Sequence, residues 1–355
     1  MFCTYSKEFG NVITSTNTRV TIAGVLIRFR ITKLIIGAKY MEIKQQNNAE
    51  NIEVSIYEIA YSSAYDGPGV RVVVFFQGCN ANCKWCHAPH STGFESPLLF
   101  NEINCLSCGK CEHVCDQKVH TIENGKHEIN RGKCKKCGKC IDACPASSRL
   151  YSSGVLYLPT KKLTARKLFE MISLNLELVK TSGGITLSGG EALMQKRGVL
   201  ELLKLCKEKG ISTAVETSGL LPKTYYEGFE DLVDCWIYGM RFTTGEKASN
   251  HSSLINESFG SISEYKRPIL TRIPIIPGYT DDPVYLTQCL ELMKKGNVNE
   301  VFLNPWNRET DHFYRLSGKT LKIEMPPLKE IEQSEEKIMS FFKANGICIK
   351  DMTEY

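Results

Sequence analysis

Residues 75–91, FFQGCNANCKWCHAPHS, place Cys79, Cys83 and Cys86 in a C-x3-C-x2-C pattern behind an apolar run. Thiolates gathered this closely hold soft metals and iron–sulfur clusters. Such a site ordinarily takes four protein ligands. Three leave two options: a fourth ligand from elsewhere in the chain, or a coordination position open to a substrate.

Two further sets follow. CLSCGKCEHVC supplies Cys105, Cys108, Cys111 and Cys115, and CKKCGKCIDACP supplies Cys134, Cys137, Cys140 and Cys144 ahead of Pro145. Both match the bacterial ferredoxin run C-x2-C-x2-C-x3-C, in which the first three cysteines hold one cubane and the fourth crosses to the other. Cys105, Cys108, Cys111 and Cys144 are therefore expected on one 4Fe-4S cluster, and Cys134, Cys137, Cys140 and Cys115 on its partner. Zinc knuckles fit less well, because zinc favours separated C-x2-C pairs. With eight cysteines assigned in two full sets, the triad is expected to hold a third cubane in which one iron has no protein ligand. The remaining five of the 16 cysteines, Cys3, Cys206, Cys235, Cys289 and Cys348, are scattered singly and read as small core hydrophobes or bystanders.

The elements that position these sets are legible around them. A chain of 355 residues with 42% apolar content has room for one large α/β domain and a smaller one, which excludes a disordered or fibrous protein. A net charge of +5 with dispersed basic residues gives no nucleic-acid stripe, so no nucleic-acid partner is expected. RVVVFFQG (71–78) reads as a buried strand. TARKLFEMISLNLELVKTSG (164–183) reads as a helix with an apolar rhythm through Leu168, Met171, Ile172, Leu176 and Val179. Beyond it GITLSGG, ISTAVETSG, VDCWIYGMRF, ILTRIPIIPG and NEVFLNPW read as strands. The stretches 198–210, 281–297 and 328–346 read as helices. Strands alternating with helices argue for parallel βαβ units, and about six repeats suit a partial (β/α)6 TIM-like barrel whose ligand-holding loops lie at the carboxyl ends of its strands. The rhythm disappears over 101–150, where the two ferredoxin runs sit. The expected organisation is an N-terminal extension over 1–50, the first part of the barrel over 51–100, an inserted bacterial-ferredoxin-like two-cluster domain over 101–150, and the rest of the barrel over 151–355.

The triad, with Trp85 before its last cysteine, and LSGGEAL (187–193) together resemble the radical S-adenosylmethionine superfamily. That resemblance implies that the methionyl amino and carboxylate groups chelate the open iron. It also implies that an electron from the cluster cleaves the sulfonium to a 5′-deoxyadenosyl radical. YDGPGVRVVVFFQGCNANCKWCHAPHS (65–91), RIPIIPGYTDD (272–282) and the two-cluster insert are similar to the glycyl radical enzyme activating enzymes. Membership would imply hydrogen abstraction from a glycine of a large partner, a glycyl radical enzyme, with flavodoxin or ferredoxin as electron donor. It also points to the cofactor residues. Gly189 and Gly190 leave room for a ligand, Glu191 can accept from an ammonium group, Glu216 and Thr217 face ribose hydroxyls, and Arg272 offers a fork to a carboxylate. Two departures from the family pattern stand out. Gly239 and Arg241 occupy the places of an Asp-x-Lys pair, and after VFLNP the chain offers Asn307 and then His312 in place of the expected histidine. They leave open a descendant that acts directly on a small molecule or peptide.

Arg28, Arg30 and Lys33 interrupt the apolar stretch 20–38, so it is not expected to span a membrane. The first forty residues superficially resemble a targeting presequence. MEIKQQNNAENIEVS from Met41 reads like the start of a soluble protein, so they are expected to be a disordered arm or upstream sequence read through. Clustered thiols with ligand spacing and an oxygen-sensitive open iron suggest the cytoplasm of an anaerobe.

Overall fold

The computed structural model describes residues 52–147, 154–242 and 248–351; the expectations for the N-terminal forty residues fall outside this range. Thirteen strands are described: β1 (Glu53–Ser63), β2 (Val70–Phe76), β3 (Leu99–Phe100), β4 (His120–Glu123), β5 (Lys126–Ile129), β6 (Leu156–Tyr157), β7 (Lys161–Thr164), β8 (Gly183–Gly189), β9 (Ser212–Thr217), β10 (Cys235–Gly239), β11 (Ile269–Pro274), β12 (Glu300–Asn304) and β13 (Cys348–Lys350).

Nine of them form one sheet in the order β13-β12-β11-β10-β9-β8-β2-β1-β7. From β2 through β8 to β13 all neighbours pair parallel, and β1 pairs antiparallel with both β2 and β7. Parallel neighbours require crossovers, which the helices Ala165–Val179, Lys196–Glu208, Ala248–Glu264 and Pro283–Lys295 supply, making this a mixed α/β fold. The β9-to-β10 crossover carries only a single 3-10 turn, Lys223–Tyr225. The inner strands of the sheet are the most buried: β10 is buried at every position, and Val72, Val73 and Val74 of β2 are fully buried, whereas β7 at the edge, KKLT, is not.

The helix Ala165–Val179 starts where Thr164 accepts from the Lys167 amide at 3.1 Å, an N-cap that satisfies an otherwise orphaned donor. Leu168, Ile172, Leu176 and Val179 are buried as expected. Met171 is not: it stands 41% exposed beside Leu174 and Leu178.

Residues 98–156 build a separate apolar cluster from Leu98, Phe100, Cys111, Val119, Cys140, Ile141, Val155 and Leu156. Its base is closed by antiparallel pairing of β3 with β6, and β4 and β5 form a hairpin. The two cysteine runs share one backbone path. Ser107 and Lys136 both have positive φ, as do Gly109 and Gly138, and each run then enters a short helix, Lys110–His113 or Lys139–Ala143.

Candidate functional site

Most of the candidate residues outside the 98–156 region lie at the carboxyl ends of the parallel strands. Cys79 follows β2, Gly189 ends β8, Glu216 and Thr217 end β9, and Gly239 ends β10. The register joins them: Phe76 pairs with Gly189, Tyr238 with Thr217, and Gly239 with Arg272.

The loop bearing the triad is held by its own motif. Gln77, fully buried, donates to the carbonyls of His90 and Gly93 and accepts from Thr160, so one side chain ties the chain on both sides of the cysteines. The Gly78 amide donates to Ser91 at 2.8 Å. Burial pushes the Cys79 thiol up to about 12, with Glu191, Cys83 and Cys86 adding to the rise. Cys86 is raised by burial and then by Cys83. The three sulfurs are part-buried and close together, and as thiolates they would repel one another unless a cation lay between them, which suits a metal cluster.

Gly190 needs its missing side chain. A Cβ there would lie 2.2 Å from the Gly78 carbonyl oxygen and 3.1 Å from the Cys79 Cβ. The Gly190 and Glu191 amides donate to Phe76 and Gly78, which locks the β8 end onto the cysteine loop. Glu191 is buried, and its two oxygens differ. Oε2 accepts from the Ser218 amide (2.9 Å), the Ser218 hydroxyl (2.7 Å) and the Thr217 hydroxyl (3.2 Å), whereas Oε1 makes no hydrogen bond among the described residues. Burial raises its pKa against the pull of those donors. A buried acceptor without a donor is costly, and an incoming ammonium group would satisfy it.

Glu216 is part-buried. Burial alone would raise it, but Arg272 beside it and the Ser188 hydroxyl at 2.6 Å hold it below the usual carboxylate range. Arg272 lies 3.3 Å from Glu216 and 3.8 Å from Asp66, and also donates to the Tyr65 carbonyl. The fork expected to meet a ligand is thus engaged by the chain's own acceptors. Arg241 is part-buried. Burial opposes its charge, yet Cys83, Tyr285 and Glu216 keep the guanidinium charged. A Cβ at position 239 would lie 3.0 Å from the Arg241 guanidinium, so glycine at 239 and arginine at 241 are a matched pair.

A cavity of about 580 Å³ opens beside the triad, bordered by Cys83, Trp85, Arg241 and Tyr285, with Lys84 and Lys322 on it. Trp85 packs on Tyr279 at 5.5 Å, and the Lys84 ammonium lies 5.4 Å from the same ring. His312 is not on this cavity but packs against Phe313.

The eight remaining clustered cysteines fall into two cavities. One is lined by Cys105, Cys108, Cys111 and Cys144, the other by Cys115, Cys134, Cys137 and Cys140. Cys108 and Cys137 reach the surface. Of the single cysteines, Cys206, Cys235 and Cys289 are buried and Cys348 is exposed; Cys3 lies outside the described residues.

Several working residues carry little sequence signal. Arg71, 1% exposed, donates to the Thr186 hydroxyl and to the carbonyls of Pro68, Ile185 and Ser212, pinning the DGPG loop to β8 and β9. Ser188 and Ser218 donate to the carboxylates described above, and Asp66 faces Arg272. Only the neighbouring motifs could have pointed to them.

The family model of the 4Fe-4S single cluster domain matches residues 65–237. The choline trimethylamine-lyase activating enzyme of Oleidesulfovibrio alaskensis is 32% identical over 284 residues, covering 77% of this chain and 89% of that protein. The trans-4-hydroxy-L-proline dehydratase activating enzyme of Clostridioides difficile is 30% identical over 297 residues, covering 81% and 95%. The 4-hydroxyphenylacetate decarboxylase activating enzyme of Clostridioides difficile strain 630 is 26% identical over 315 residues, covering 85% and 97%.

Proposed function

We propose, for a chain that belongs to the glycyl radical enzyme activating enzymes, that Cys79, Cys83 and Cys86 hold the cluster at which the chemistry occurs. The cavity beside them then receives the partner's glycine loop. As a member of that family the protein is a radical S-adenosylmethionine enzyme that uses iron–sulfur chemistry and acts on a glycyl radical enzyme. A cluster held by Cys79, Cys83 and Cys86 would, with S-adenosylmethionine, supply the radical chemistry for hydrogen abstraction from the partner's glycine.

One observation carries this assignment of residues: Oε1 of buried Glu191, one residue from the glycine that abuts the Cys79 turn, makes no hydrogen bond among the described residues. Glu191 accepts the methionyl ammonium, and Gly189 and Gly190, whose Cβ positions are filled by the Phe76 and Gly78 backbone, set β8 against the cysteine loop. Arg241 offers a planar fork to the carboxylate. Glu216, positioned by Arg272 and Ser188, serves the ribose hydroxyls, while the Thr217 hydroxyl, engaged with Glu191 and Tyr226, holds Glu191 in place. Trp85 and Tyr279 form an aromatic wall of the cavity, and Lys84 and Lys322 line it.

We read the open parallel sheet as a partial (β/α)6 barrel and residues 101–150 as a two-cluster ferredoxin-like insert, giving three 4Fe-4S clusters in all. The division of eight cysteines between two cavities in crossed sets supports this. Exposed Cys108 and Cys137 give a flavodoxin or ferredoxin donor an edge to approach. Among the described residues no helix is long and apolar enough to cross a membrane. An open cubane iron suits the cytoplasm of an anaerobe. The test is anaerobic reaction of the reconstituted protein with S-adenosylmethionine, reductant and the co-encoded glycyl radical enzyme, read by electron paramagnetic resonance. A glycyl doublet on the partner is the expected result. Deoxyadenosine formation with no doublet would point to direct action on a small molecule or peptide.

A further inference from the structure

The β4–β5 hairpin turns at Asn124 and Gly125, both with positive φ, as a two-residue hairpin requires. Its outer positions, Thr121, Glu123, Lys126 and Glu128, are exposed, and its inner ones are His120, Ile122, His127 and Ile129. Two imidazoles on the face turned toward the cysteines need partners, since buried polar groups are rarely left unpaired. They find each other, His120 Nδ1 to His127 Nε2 at 3.0 Å. The outer nitrogen of His127, Nδ1, lies 3.4 Å from the Cys105 sulfur. The outer nitrogen of His120, Nε2, has no partner among the described residues, and His120 lines the cavity of Cys115, Cys134, Cys137 and Cys140. The pair therefore reaches from the Cys105 sulfur to the lining of the second cavity.

Proton counting gives this bridge a consequence. Two neutral rings carry two protons, and their mutual hydrogen bond takes one. A single proton remains for the two outer nitrogens, so the pair can donate toward one cysteine set at a time. Hydrogen bonds to cluster sulfurs raise a cluster's reduction potential. We propose that His120 and His127 are positioning residues that hold the two auxiliary clusters at unequal potentials, by directing one N–H toward the Cys105 side. The inference rests on the two-cluster reading of the insert. Cys111, His120 and His127 also stand close enough for a lone metal ion, with ligand atoms within 4.8 Å of one another. Cys111 belongs to a complete four-cysteine set, so the cluster assignment is preferred.

The test uses the full chain with Cys79, Cys83 and Cys86 replaced by alanine, which leaves only the auxiliary sites, reconstituted and titrated with EPR detection. Iron for two cubanes checks the two-cluster reading separately. His127→Phe is expected to shift one cluster's reduction equilibrium about tenfold toward the oxidised form, ~59 mV for one electron. His127→Asn, which keeps an amide N–H where Nδ1 stood, is expected to retain the parent potential. His120→Phe frees the His127 ring to carry its proton on Nε2, toward the Cys111 sulfur at 3.8 Å, and is expected to lower that cluster less than His127→Phe does. Unchanged potentials in His127→Phe with full iron would overturn the proposal, as would an equal drop in His120→Phe. Loss of iron from both His127 variants would make the imidazole a ligand and overturn it too. So would one zinc ion bound in place of a cubane.

Discussion

Replacing Glu191 by glutamine separates the residue's two tasks. Its Oε2 takes the Ser218 and Thr217 hydrogen bonds, and a glutamine carbonyl can keep them. The amide nitrogen then stands at the Oε1 position, where the methionyl ammonium is expected, and donor faces donor. A hydrogen bond between charged groups contributes about 1.5–3 kcal/mol, so E191Q should bind S-adenosylmethionine roughly 10- to 150-fold more weakly. Folding should not suffer. Burial raises the Glu191 pKa in the folded protein, so the native state holds the proton more tightly than the unfolded chain. Stability of the ligand-free protein is then greatest at low pH and declines as pH rises from the ordinary carboxylate value through the raised one. E191Q should abolish this decline. Anaerobic equilibrium binding of labelled cofactor and urea unfolding at several pH values measure both effects. Unchanged affinity in a fully loaded variant would refute the role given to Oε1.

Three further outcomes follow from the geometry. G190A should cost about 1–3 kcal/mol through overpacking and deplete the triad's iron while the auxiliary sites stay loaded, because the new methyl meets the Gly78 carbonyl at 2.2 Å; iron analysis and unfolding check it. R71L should cost about 3 kcal/mol in denaturant unfolding, since it strands Thr186 and strand carbonyls that the guanidinium now satisfies. Burial, then His87 and Lys319, hold His90 down to about 4. The unfolded chain therefore takes that proton first, and stability should fall by ~3 kcal/mol as pH drops from about 6.5 toward 4. H90F should flatten that slope.

The cysteine sets were legible because ligation demands one residue type at short, fixed spacing. The ends of β2, β8 and β9 were legible because apolar runs there meet glycine or a polar turn. The helix Ala248–Glu264 was not, since its sequence is rich in serine and asparagine and its buried face rests on Ile255, Ser258, Phe259 and Ile262. Arg71 could not be read as a buried pin, because three of its four acceptors lie 114 or more residues away in the chain. Arg272 was expected to face a ligand and instead meets Glu216 and Asp66; Asp66 sits in the DGPG loop, which only the tertiary fold brings near. The Gly239 and Arg241 departures read separately as losses. Together they are one adjustment, a side chain removed so that a larger cation fits.

The central claim is that the triad's cluster keeps one iron free for cofactor. The most direct test is electron–nuclear double resonance on the reduced protein with S-adenosylmethionine carrying ¹⁵N in its amino group. A nitrogen coupling at the cluster that appears only with bound cofactor is the predicted result. Its absence from fully reduced, cofactor-saturated protein would contradict the account.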